Sequence, residues 1–139
     1  MRAAFMGLAA DLPDGWNDES TMTFTIPPID VGQGQALSPG NVVINWVDGS
    51  NAEPEDYLAD LHKQFAAAFD NFEVLEEGEL APSVPFMRFQ FEAGRDLQQM
   101  LAVRRVGSRM VIVTGTAMGE YFDRYRDQFA GIACSVKSA

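Results

Sequence analysis

The sequence predicts one α+β domain over residues 1–139, a twisted, largely antiparallel sheet of about six or seven strands packed with two main helices. Three observations carry that expectation. Residues 85–114 hold consecutive apolar runs separated by turn formers, the pattern of an antiparallel meander. Residues 21–26 alternate threonine with an apolar side chain, the period of a half-buried strand. Two other segments repeat apolar residues every three to four positions, the period of a helix with one buried stripe.

In the meander, Val84, Phe86, Arg88 and Gln90 alternate with Met87, Phe89 and Phe91. Leu97, Met100 and Leu101 open the next run, and Met110, Val111, Ile112 and Val113 form the last. Ala93-Gly94-Arg95-Asp96 and Gly107-Ser108 are the turns. The second places Gly first in a two-residue loop, where a tight hairpin demands positive φ.

Taken in order, residues 4–10 read as a short first strand, and Pro13-Asp14-Gly15 as a turn in which Pro presets φ and Gly tolerates the left-handed region. Thr21, Thr23 and Thr25 then face away from Met22, Phe24 and Ile26. Pro27, Pro28 and Pro39, with Gly32, Gly34 and Gly40, make residues 27–40 a long loop, and loops of that length are usually functional. Residues 42–47 are a strand. Pro54 followed by Glu55 and Asp56 opens a helix, since acidic side chains suit the positive end of its dipole. Leu58, Leu61, His62, Phe65 and Phe69 are its buried stripe. Residues 72–76 read as a strand and 78–82 as a turn. After the meander, Thr116 is the expected N-cap of a second helix whose apolar face is Tyr121, Phe122, Tyr125, Phe129, Ile132 and Val136.

The formal net charge of −10 at pH 7 and a pI of about 4.3 surround the chain with a negative field, which repels phosphate backbones and anionic lipid. Nucleic acid is therefore no partner, and no apolar run is long enough for direct membrane insertion. With 47% hydrophobic residues the chain is globular and not an acidic disordered tail. Residues 1–10 carry one arginine and run straight into Asp11, unlike a secretory signal, so the expected location is cytoplasmic. The lone Cys134 forms no internal disulfide and reads as a small core or part-buried helix residue.

No catalytic, cofactor-binding or metal-binding constellation emerges. The single histidine, His62, sits inside an apolar stripe, where a structural imidazole is the simpler reading than a general base. No zinc or calcium spacing is present. Gly32-Gln33-Gly34-Gln35 has no following Lys-Ser/Thr and opens no helix, so it fails as a phosphate loop. Glu73, Glu76, Glu77 and Glu79 read as a solvated strand edge in preference to paired catalytic carboxylates. The chain is accordingly expected not to be an enzyme. What stands out is apolar strand surface rich in methionine. Met22, Phe24 and Ile26 are either core or one wall of an open groove, a place where pliable Met side chains repack around varied partners.

Leu12-Pro13-Asp14-Gly15-Trp16 with Asp18 and Thr21, the strand over 42–47, the helix bearing Tyr57, Leu58, Leu61 and Phe65, Phe72-Glu73-Val74-Leu75, Phe86-Met87-Arg88-Phe89-Gln90-Phe91, Gln98-Gln99 and Met110-Val111-Ile112-Val113-Thr114 together resemble the DcrB-related family. The resemblance spans nearly the whole chain and implies a Mog1/PsbP-like fold. In layout the chain is most similar to the Eag-type chaperones of type VI secretion. That resemblance implies a cytoplasmic homodimer that shields the hydrophobic N-terminal transmembrane segments of a secreted effector before export. It further implies a groove with Met22, Phe24 and Ile26 on its strand, Phe65 on the facing helix, and Gln90, Gln98 and Gln99 as hydrogen-bonding groups. The alternative is a Mog1-like adaptor for a folded soluble partner.

Overall fold

The computed structural model describes residues 2–5, 8–11, 13–15, 21–48, 51–94 and 96–138. Leu12, Trp16 and Asp18 of the motif above, and Arg95 of the first meander turn, lie outside the described residues.

The body is a six-stranded sheet with every neighbour antiparallel, in the order β3 (Met22–Thr25), β6 (Gly40–Asp48), β10 (Arg109–Met118), β9 (Leu97–Val106), β8 (Val84–Gln90), β7 (Glu73–Ala81). Helix α1 (Pro54–Ala68) lies on one face and α2 (Phe122–Ser135) on the other. Two small antiparallel ribbons complete the fold: β1 (Arg2–Phe5) with β2 (Leu8–Asp11), and β4 (Ile29–Gly32) with β5 (Gln35–Leu37). This is the expected α+β architecture, and the meander of β8, β9 and β10 stands where its apolar runs and turns place it. Gly107 has φ +62°, as its turn requires.

Strand alternation splits the core in two. Toward α2 point Val42 and Ile44, Val111, Val113 and Ala117, Met100 and Ala102, and Val84 and Phe86, which meet Phe122, Tyr125, Phe129 and Ala133. Toward α1 point Met110 and Ile112, Leu101 and Val103, and Met87 and Phe89, which meet Leu58, Leu61 and Phe65. Gly115 sets how closely α2 approaches. A Cβ there would lie 2.5 Å from the Phe129 ring, so only glycine lets that ring reach the sheet.

Helix α2 is fixed by arginines as well as by burial. Arg88 lies over the Phe122 ring at 4.3 Å, bonds Gln98 Oε1 through Nε at 2.8 Å, and pairs with Asp123 at 2.8 Å. Arg126 grips both carboxylate oxygens of Glu76 on β7. The last turn of α2 has no basic residue of its own, and Arg104 of β9 donates to the Cys134 carbonyl at 2.7 Å.

Five expectations are corrected. Of residues 4–10, those described fall in two antiparallel strands that pair with each other, β1 and β2, instead of in one strand. Residues 27–40 are not an unstructured loop, because Ile29-Asp30-Val31 and Gln35-Ala36-Leu37 pair as a ribbon around Gly32-Gln33-Gly34, all three at positive φ, with Asp30 Oδ1 accepting the Gly32 N–H at 2.9 Å. The glycines there turn the chain, and the pairing shifts register between Asp30 and Gly32. Strand β7 runs on through Gly78 to Ala81 with two register shifts, and the turn is Pro82-Ser83, with Ser83 at φ +63°. Thr116 is no N-cap: it sits within β10, its hydroxyl accepting from Gln99 Nε2 at 3.0 Å, and Tyr121 caps α2 without a side-chain bond. Cys134 is exposed, because Phe122, Tyr125, Phe129 and Ala133 define the buried stripe and position 134 turns off it.

Candidate functional site

The two helices do not cover the sheet evenly. Helix α1 packs on β8 and β9, and α2 on β10, β9 and β7. The other end of the sheet, at β3, is left as an open margin.

On the α2 face that margin is a groove of about 390 Å³. Phe24, Thr25, Ile26 and Val42 line it from the sheet, Tyr125, Gln128, Phe129 and Ile132 of α2 form one wall, and Pro27 and Ile29 line the end where the β4–β5 ribbon departs. None of the residues lining it carries a charge. Phe24 is 49% exposed, a large apolar ring presented to water, whereas Met22 and Ile26 are half-buried against the core. The sequence left core and groove open for these three residues, and the structure divides them. The side chains of Thr23 and Thr25 alternate to the opposite face, exposed, with Val43 and Asn41 as their partners on β6.

The remaining site residues are distributed elsewhere. Phe65 does not face Met22, Phe24 and Ile26. It lies across the sheet with Phe72 and Phe89, at ring-centroid separations of 6.2 and 5.5 Å, so the helix that walls the β3 groove is α2 and not α1. The reason is the pleat: the side chains of β3 that carry apolar surface share a face with Val42 and Ile44, which is the α2 face. Gln98 is committed to Arg88. Gln90 donates to Glu73 at 2.9 Å, beside a shallow polar hollow with Asn71 and Glu92. Gln99 bonds Thr116. His62 is half-buried, its ring 5.5 Å from Phe72.

The acidic edge is partly neutralised. The guanidinium of Arg126, by hydrogen bonding and then by charge, holds the Glu76 carboxyl below the ordinary carboxylate range. Glu55, at the start of α1, is pushed up by its hydrogen bond to Glu79 and the charge of that neighbour. Glu73, Glu77 and Glu79 remain exposed along β7. Among the described residues no helix is long and apolar enough to cross a membrane.

Sequence reasoning read Val42, Tyr125, Phe129 and Ile132 as strand and helix positions and not as groove, and passed over Thr25, Pro27, Ile29 and Gln128. Ile29 carried the only signal, an apolar side chain alternating with Asp30 and Val31 inside a segment full of turn formers.

No protein-family model matches the chain, and no curated protein sequence does. Among solved structures it is similar to PA94 of Pseudomonas aeruginosa, described as a protein of unknown function and a candidate regulator. The TM-score is 0.74 at 17% identity, over 100% of this chain and 96% of that one. It is also similar to the cyanobacterial PsbP of Synechocystis, with a TM-score of 0.50 at 9% identity, over 90% of this chain and 96% of that one. At such identities the likeness shows the fold alone, and the fold is Mog1/PsbP-like.

Proposed function

We propose that the protein is a chaperone or adaptor, not an enzyme, that holds an apolar helical segment of a client in the groove between β3 and α2. The observation that carries this reading is the groove itself: an uncharged trough floored by a half-exposed phenylalanine, on a chain whose net charge is −10. Apolar surface drives capture, and the acidic exterior keeps the loaded complex dispersed. The resemblance to Eag-type chaperones supports a finer version, in which the client is a type VI secretion effector, the segment is its hydrophobic N-terminal transmembrane region, the place is the cytoplasm and two copies of the chain act together.

The test is capture of a synthetic apolar helix of about 20 residues, the length that spans a bilayer core. The protein is expected to keep that peptide in solution, and Phe24→Asp to abolish the effect while its circular dichroism stays native. A Phe24→Asp protein that retains full capture overturns the assignment of the groove, and one that unfolds identifies Phe24 as core. Sizing of the loaded complex tests the pairing of two copies.

The exposed glutamates of β7 favour a second reading, an adaptor for a basic face of a folded partner. Salt separates the two, because an exposed ionic contact weakens steeply as salt rises and apolar capture does not.

A further inference from the structure

The two edges of the main sheet are built differently. β7 is a protected edge: it carries Glu73, Glu76, Glu77 and Glu79 and shifts register twice, devices that discourage a further strand. β3, a short strand followed by Pro27 and Pro28, has neither the charges nor the register shifts. Its sequence is Met-Thr-Phe-Thr, its pairing with β6 is regular, and no charged residue lies between Thr21 and Ile29. Among the described residues β3 pairs only with β6.

The register says which groups the edge offers. Ile26 N–H donates to the Gly40 carbonyl at 3.0 Å, so backbone groups of that parity, in Ile26, Phe24 and Met22, point inward to β6. Those of Thr23 and Thr25 point outward. A strand added at this edge would meet two N–H and two C=O groups in register, and its alternate side chains would fall beside the exposed Phe24 ring, where the groove lies open.

We infer that β3 is a strand-acceptor edge, and that its occupant is an extended segment of a partner protein with alternating apolar side chains and neutral or basic flanks. The choice of flanks follows from charge: an acidic segment would approach a molecule of net charge −10 against repulsion. The inference goes beyond helix capture, since a helix satisfies its own backbone and has no use for the outward groups of Thr23 and Thr25.

The probe is a short lysine-flanked peptide alternating leucine with threonine, titrated into isotope-labelled full-length protein, with amide hydrogen exchange read residue by residue. The expected result is new protection at Thr23 and Thr25 and none at Glu77 or Glu79. N-methylation of the peptide residues that face β3 is expected to weaken binding about tenfold, two lost hydrogen bonds at the usual net worth. Methylation of the alternate residues leaves binding unchanged. Thr23→Pro, which removes an outward N–H, is expected to act like the first methylation, and the methylated peptides decide the matter if that variant does not fold. The inference is overturned by binding without protection at Thr23 and Thr25, by equal affinity of the two methylated peptides, by no binding at millimolar peptide, or by protection at Thr23 and Thr25 that rises with protein concentration in the absence of peptide, which would assign the edge to a second copy. Helix capture fails or succeeds separately, because its peptide bonds itself internally.

Discussion

The two halves of the sheet solve the same problem to different extents. At β8 and β9 both faces are shut. Phe89 and Val103 are buried beneath α1, while Phe86 and Ala102 are buried beneath α2. At β3 the helices stop short, and Phe24, equally apolar, stands half in water. The aromatic content shows where the investment went: Phe65, Phe69, Phe72, Phe89 and Phe91 pack ring against ring around the closed half, with Phe69 and Phe91 stacked at 4.3 Å. On the function proposed above, the closed half supplies the rigidity that lets apolar surface persist in the open one.

The sharpest way to break this comparison is to truncate one ring in each half. Phe89→Ala is expected to cost about 3–5 kcal/mol in urea denaturation, the range for emptying a packed aromatic site. Phe24→Ala is expected to stay within about 0.5 kcal/mol of the parent, as an exposed substitution does. Equal losses would mean that the open half is core after all.

Next in size is the approach of α2. Gly115→Ala puts a methyl 2.5 Å from the Phe129 ring and is expected to cost about 1–3 kcal/mol through overpacking. The thermal midpoint should fall accordingly. Arg88→Met removes the pairing with Asp123 and the bonds to Gln98, with an expected loss of about 1–2 kcal/mol, concentrated in local exchange of the first turn of α2.

The smallest effect carries a pH signature. Both side chains of the Glu76–Arg126 pair are partly exposed, at 37% and 28%, so solvent screens it and Glu76→Gln is expected to cost about 0.2–1 kcal/mol at neutral pH. Because Arg126 lowers the folded pKa of Glu76, its contribution is fully present above the ordinary carboxylate range and is lost as pH falls through the lowered value. Parent and variant should therefore converge in stability at acid pH. A gap that persists there would assign the loss to packing.

Much of the closed half is legible in the sequence, because β8, β9 and β10 are consecutive and joined by short turns. Alternation alone assigns Met87 and Phe89 to one face and Phe86 to the other. The helix stripes are equally plain, since His62 and Phe65 sit at helical spacing among leucines. The open half is less so. Periodicity puts Met22, Phe24 and Ile26 on one face but does not say which helix shares it, because that depends on β6 joining β3 to β10 from distant parts of the chain. The resemblance sets Phe65 opposite that strand, whereas Phe65 packs on the other face of the sheet. The ribbon at residues 29–37 is hidden because Gly32 and Gly34 mark a hairpin turn and a loop alike.

The most direct measurement of where a client segment lies is photo-crosslinking from the sheet itself. A photoreactive phenylalanine analogue is placed at position 24 or, in a separate protein, at position 65, and each is irradiated with the apolar helix peptide bound. Crosslinking from position 24 and none from 65 is the expected result. Crosslinking from 65 alone would contradict capture between β3 and α2 and move the site to the α1 face.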